Sequence, residues 1–149
     1  MKHMDVERLF MSSETSGTIT DTLTVATGST YLYSREYLFG KNSNYPGEAT
    51  DAAVFLQSAD DDASTPSLAL QYANHSGEDF MDIWHTVSGY STSSPGTLVS
   101  SFDAGDQFEA NLRQQDWWMP SRGFKLRVVK TGAGAVTFSD STVVVQWQE

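Results

Sequence analysis

The chain has 149 residues, room for one ordinary domain with a proper core and too short for two. It has no cysteine, which excludes a disulfide framework, a thiolate metal site and a cysteine nucleophile. Its net charge of −10 argues against binding a nucleic-acid backbone, and no apolar run approaches the ~18–20 residues of a membrane-spanning helix. Neither a nucleic acid nor a membrane is therefore expected as a partner.

Serine and threonine are abundant and 12% of the residues are aromatic, the makeup of a β-rich domain with an aromatic core. Met1-Lys2-His3 reads as a vector-derived leader before a start at Met4, so a single domain is expected over 4–149. Leu9-Phe10-Met11 is too short for a signal peptide, and a soluble protein is expected. One short helical turn fits Asp5 to Met11.

Two-residue alternation then dominates. Ile19, Leu23 and Val25 alternate with threonines, giving a strand with one wet face. Tyr31, Tyr33, Tyr37 and Phe39 fall on one face of the next extended segment, with Arg35 among them needing a carboxylate or a route to solvent. Ala52 to Ser58 reads as a short buried strand, and Leu68, Leu70 and Tyr72 mark another. Phe80 to Val87 follows a turn at 74–77, and Ser88 to Gly96 reads as a loop holding Tyr90. Strands are expected at about 97–102 and 107–112, with an edge or half-exposed strand carrying Phe124, Leu126 and Val128. Two closing strands are expected near 135–138 and 142–147. The spacing implies an all-β, antiparallel β-sandwich (jelly-roll-like) or barrel of about nine to eleven short strands.

Charge is segregated along the chain. Residues 42–112 hold eleven acids and no Lys or Arg, whereas Arg113, Arg122, Lys125, Arg127 and Lys130 follow within a short span. Placed on different faces these segments would steer self-assembly; paired across strands they would cancel.

Candidate sites are few. Asp60, Asp61 and Asp62 form a weak calcium candidate, but position six of an EF-hand loop counted from Asp60 is Thr65 rather than glycine, and a solvated acidic turn fits better. His85 reads as a half-buried structural histidine and His75 as an exposed turn residue. Gly89-Tyr90-Ser91-Thr92-Ser93 lacks the last glycine of a nucleophile elbow, and Gly132-Ala133-Gly134 lacks the third glycine of a dinucleotide loop. Asn74-His75-Ser76 matches an N-glycosylation acceptor. No metal, cofactor or catalytic constellation is expected.

Trp117-Trp118-Met119-Pro120 is the most distinctive tetrapeptide. Adjacent residues of an extended segment face opposite ways, so one indole should enter the core and the other meet solvent or a partner. Trp117, Trp118 and Tyr90 are the candidate partner- or sugar-binding residues, with Tyr31, Tyr33 and Tyr37 able to extend the platform. Size, acidity and composition together are similar to the small β proteins of tailed-phage virions, such as capsid-decoration or tail-associated components. That resemblance implies a non-catalytic assembly protein forming a symmetric homo-oligomer, most simply a trimer; the alternative is a carbohydrate-binding module.

Overall fold

A computed structural model describes residues 2–8, 10–13, 23–25, 31–40, 43, 45–60, 65–75, 80, 81, 83–119 and 122–149. The strands in chain order are β1 (Lys2–Arg8), β2 (Phe10–Ser13), β3 (Leu23–Val25), β4 (Tyr31–Leu38), β5 (Glu48–Asp60) and β6 (Ser67–Asn74). They continue with β7 (His85–Thr86), β8 (Tyr90–Ser91), β9 (Phe102–Asp103), β10 (Gln107–Asn111), β11 (Gly123–Thr131) and β12 (Val136–Gln148). A 3₁₀ turn, Leu112–Gln114, follows β10.

Two six-stranded antiparallel sheets pack as a β-sandwich. The first, sheet A, runs β1-β12-β5-β10-β8 with β3 also on β12; the second, sheet B, runs β2-β4-β11-β6-β7 with β9 also on β6. Alternation decides what enters the core. Ala52, Val54 and Leu56 of β5 and Val143 and Val145 of β12 face inward from sheet A. Leu68, Leu70 and Tyr72 of β6 and Phe124, Leu126 and Val128 of β11 meet them from sheet B. Each Val, Leu or Phe side chain among them, fully withdrawn from water, contributes about 1.5–3 kcal/mol. The β11–β12 hairpin turns through Gly132 and Gly134, both at positive φ (103° and 105°), where a Cβ would be strained. The buried Lys130 donates to the Gly134 carbonyl and ties that turn down.

Several elements differ from the sequence reading. Asp5 to Met11 forms no helical turn but contributes to β1 and β2. β11 is half-exposed, as one of the two expected alternatives has it, but lies centrally between β4 and β6 rather than at an edge. β5 extends over 13 residues, and the two expected closing strands are one, β12, interrupted by a bulge between Phe138 and Asp140. Ser88 to Gly96 is not all loop: Tyr90–Ser91 pairs with β10. Residues 18–22, Asp61 and Asp62 lie outside the described residues.

The most consequential difference is in β4. The register against β11 shifts between Lys125 and Arg127, so Ser34 and Arg35 together oppose Leu126. The Leu126 N–H donates to Ser34 Oγ at 2.9 Å. This β-bulge reverses the alternation. Tyr37 and Phe39 enter the core with Leu32, whereas Tyr31 and Tyr33 stay on the outside, so the four aromatics do not share a face.

Candidate functional site

The segment following the 3₁₀ turn is positioned by two amide side chains. Gln115 accepts from the Ser88 N–H (2.9 Å) and donates to the carbonyls of Ser88 and Asn111 (3.0 Å each), fastening the start of the 88–99 segment to the end of β10. Asn74, buried at the end of β6, donates to the Trp117 carbonyl (2.8 Å) and accepts from the Met119 N–H (3.3 Å). Its own carbonyl accepts from the Met81 N–H at 2.8 Å. An asparagine so enclosed is a structural clamp, not a glycan acceptor.

The tryptophan pair divides as the extended geometry requires. Trp118 packs into the sandwich end against Phe124 (5.1 Å) and Tyr72 (5.8 Å), whereas Trp117 is 62% exposed. The Trp117 ring lies parallel to His85 at 6.0 Å and 15°. His85, half-buried, also leans on Tyr72 at 5.1 Å. His75 is not a free turn residue; it meets Phe80 edge-on at 4.7 Å.

Beside this stack opens a cleft of about 570 Å³, lined by Trp84, His85, Thr86, Gln114, Asp116 and Trp117 among others. A second hollow, about 330 Å³, lies on the outer face of sheet A between Ala53, Phe55, Val144, Tyr90 and Leu98. The two share Ser88, Leu98 and Gln114 as a common wall. Tyr90 is 43% exposed but belongs to the second hollow, so Trp117 and Tyr90 serve different surfaces.

No family model and no curated protein matches the chain. Solved structures do. A quarter of the chain of Clostridium thermocellum endo-1,4-β-D-xylanase 10B, solved as CBM22-1 and GH10 modules with xylohexaose, superposes on 98% of this one with TM-score 0.52 and 9% identity. The SPBc2 prophage-derived protein YomS covers 97% of this chain over 95% of its own, with TM-score 0.44 and 12% identity. The superposition on the xylanase chain shows a shared β-sandwich fold and nothing finer.

The electrostatics place the cations apart. Arg127 lies over the rings of Trp84 (4.2 Å) and Tyr31 (4.4 Å), and its Nε donates to Gln71 at 2.8 Å. Lys125 stands over Phe80 (5.1 Å) and Trp84 (5.3 Å). Lys130 is buried and Arg113 sits by Lys2 at one end of sheet A. The five cations clustered in sequence therefore form no single basic patch.

Arg35 finds its carboxylate across the sandwich. Its Nε donates to Glu7 of β1 at 2.7 Å, its Nη2 to the Tyr45 hydroxyl, and the guanidinium covers the Tyr37 ring at 4.2 Å. Burial pushes the Glu7 carboxyl up, but the hydrogen bond and charge of Arg35 outweigh it and hold the group below its ordinary value. Burial, with the nearby Glu7 and Asp5 carboxylates, raises the Tyr45 phenol against the pull of Arg35. Burial likewise raises Tyr72 at the cleft floor.

Among the described residues, no three His, Asp or Glu side chains converge to hold a metal, and no helix is long and apolar enough to cross a membrane. Of the calcium candidate only the Asp60 backbone is described, paired with Val136. Sequence reasoning found Trp117 but not Asn74, Trp84 or Arg127. A signal existed for Trp84, an indole directly beside His85.

Proposed function

We propose that the chain is a non-catalytic assembly protein that associates with copies of itself through the outer face of sheet A. One observation carries this reading. Val6, Val144 and Ala53 stand side by side on β1, β12 and β5, with Phe55 one outward position along β5. Met4 and Val6 are 64% and 56% exposed, and Tyr90 and Leu98 rim the same face. An antiparallel sheet with one solvated face presents polar residues there, and a contiguous apolar patch marks an interaction surface.

Charge does not select the symmetry: Lys2 and Arg113 share one end of the sheet with the exposed Glu48, and Glu109 and Asp140 lie toward the other. The trimer expected from sequence and a two-fold pair both give a closed assembly. The setting proposed for this assembly is a phage virion, as a decoration or tail-associated component, on the resemblance of size and composition.

Static light scattering at tens of micromolar tests the proposal. The expected result is a discrete oligomer that Val144→Lys, an outward substitution, converts to a monomer with an unchanged circular dichroism spectrum. A monomeric wild-type chain, or a Val144→Lys oligomer of unchanged mass, overturns it.

A further inference from the structure

We propose that the cleft beside Trp117 binds a short neutral oligosaccharide, at a site that adjoins the self-association face across the shared wall of Ser88, Leu98 and Gln114. A pyranose ring offers a flat C–H face and a rim of hydroxyls, so its site pairs an exposed aromatic plane with fixed polar groups. Both are present. Trp117 is backed by His85 at 6.0 Å and exposes 62% of its surface, leaving its other side to solvent.

Trp84 also lines the cleft, and its position is already set: the Arg127 guanidinium lies 4.2 Å and the Lys125 ammonium 5.3 Å over its ring, and Tyr33 meets it at 6.1 Å and 60°. Gln114 and Asp116 line the same cleft and are exposed, and their side chains make no hydrogen bond among the described residues. An amide and a carboxylate are the groups that bind adjacent hydroxyls in pairs. Gln115 takes no part as a ligand group, because its amide is spent on Ser88 and Asn111; it holds the cleft wall. The volume, about 570 Å³, lies within the range of small-molecule sites, and a preformed cleft avoids the cost of ordering loops on binding.

Charge selects the class. The chain carries −10 and Asp116 lines the cleft, which repels uronic or sulfated sugars. The nearest cations, Arg127 and Lys125, are engaged with the rings of Trp84, Tyr31 and Phe80, and Arg127 also with Gln71. The neighbouring apolar hollow, by contrast, has the character of a protein contact.

The test is titration of tryptophan fluorescence, checked by calorimetry, with cellohexaose, xylohexaose, chitohexaose and maltohexaose. At least one is expected to give a saturable shift at millimolar concentration or below. Trp117→Ala and Asp116→Ala should each weaken it by about ten-fold or more with circular dichroism unchanged. Val144→Lys should bind as the wild type does, which separates this site from the assembly face. Absence of saturation with all four sugars overturns the proposal. So does undiminished binding in Trp117→Ala, or tighter binding of polygalacturonate than of any neutral hexaose.

Discussion

Asn74 gives the sharpest test of how the tryptophan segment is held. Replacing it with alanine removes two side-chain hydrogen bonds, at 2.8 and 3.3 Å, each with a net value of about 1 kcal/mol. Trp117 and Met119 are both exposed, so water recovers part of what their backbone groups lose. The expected cost of Asn74→Ala is therefore about 2 kcal/mol, or a Tm lower by about 4–8 °C for a domain of this size. Asn74→Asp should be worse despite its near-identical shape. One carboxylate oxygen keeps the Met119 N–H, but the other replaces a donor and confronts the Trp117 carbonyl at a position only 3% exposed. The cost rises to about 3–4 kcal/mol at pH 7.

The pH dependence separates this account from a packing defect. Burial against a carbonyl raises the new carboxyl in the folded state, and its protonated form can donate to Trp117. The penalty is then full above the folded pKa, shrinks as pH falls through it, and vanishes below the unfolded value of about 3.9. Thermal unfolding followed by circular dichroism at pH 7 and pH 4 measures this as the wild-type-minus-variant difference, which cancels groups common to both. An Asn74→Asp deficit equal at both pH values, or smaller than that of Asn74→Ala at pH 7, refutes the reasoning.

Three further outcomes are expected. Phe124→Ala empties the centre of a stack with Tyr37 (4.9 Å), Trp118 (5.1 Å) and Phe39 (6.0 Å), and should cost about 3–5 kcal/mol by denaturant unfolding. Gly89→Ala places a methyl 2.4 Å from the Glu109 carbonyl oxygen and 2.6 Å from the Phe108 ring, so β8 must lift from β10; a loss of about 1–3 kcal/mol is expected in the same assay. Glu7→Gln should cost about 1 kcal/mol near neutral pH, since the Arg35 pair is partly exposed. The Glu7 carboxyl is lowered in the fold, so this contribution exists above its unfolded pKa and is lost as pH falls through the lower folded value. The gap between wild type and Glu7→Gln should accordingly close in acid, and a gap that widens there contradicts the assignment.

Strand class and most inward residues were legible because alternation acts locally: Leu68-Ala69-Leu70 or Phe124-Lys125-Leu126 states its own buried side. The division of Trp117 from Trp118 was legible for the same reason. What escaped depends on partners far along the chain. The face of Tyr31 and Tyr33 is set by a bulge that needs Leu126 opposite Ser34, 92 residues away, and no local pattern announces it. Asn74 looked like a surface acceptor because its neighbours are polar; only the approach of Trp117 and Met119 encloses it.

The outer face of sheet A is a different case, since its signal was present and read one way only. Ala52 to Leu56 and Val143 to Val145 are unbroken apolar runs, and an unbroken run states that both sides of a strand need cover. In the fold β5 and β12 pair so that Val54 meets Val143 on the inside and Ala53 meets Val144 on the outside. The inner pair is covered by sheet B; the outer pair has no layer of this chain above it among the described residues, and Ala53 remains exposed. Apolar residues at two paired outward positions, in the middle of the sheet, are not scattered surface hydrophobics that need no explanation. They extend the demand for a core to a second layer, and a copy of the same face satisfies it on both partners at once.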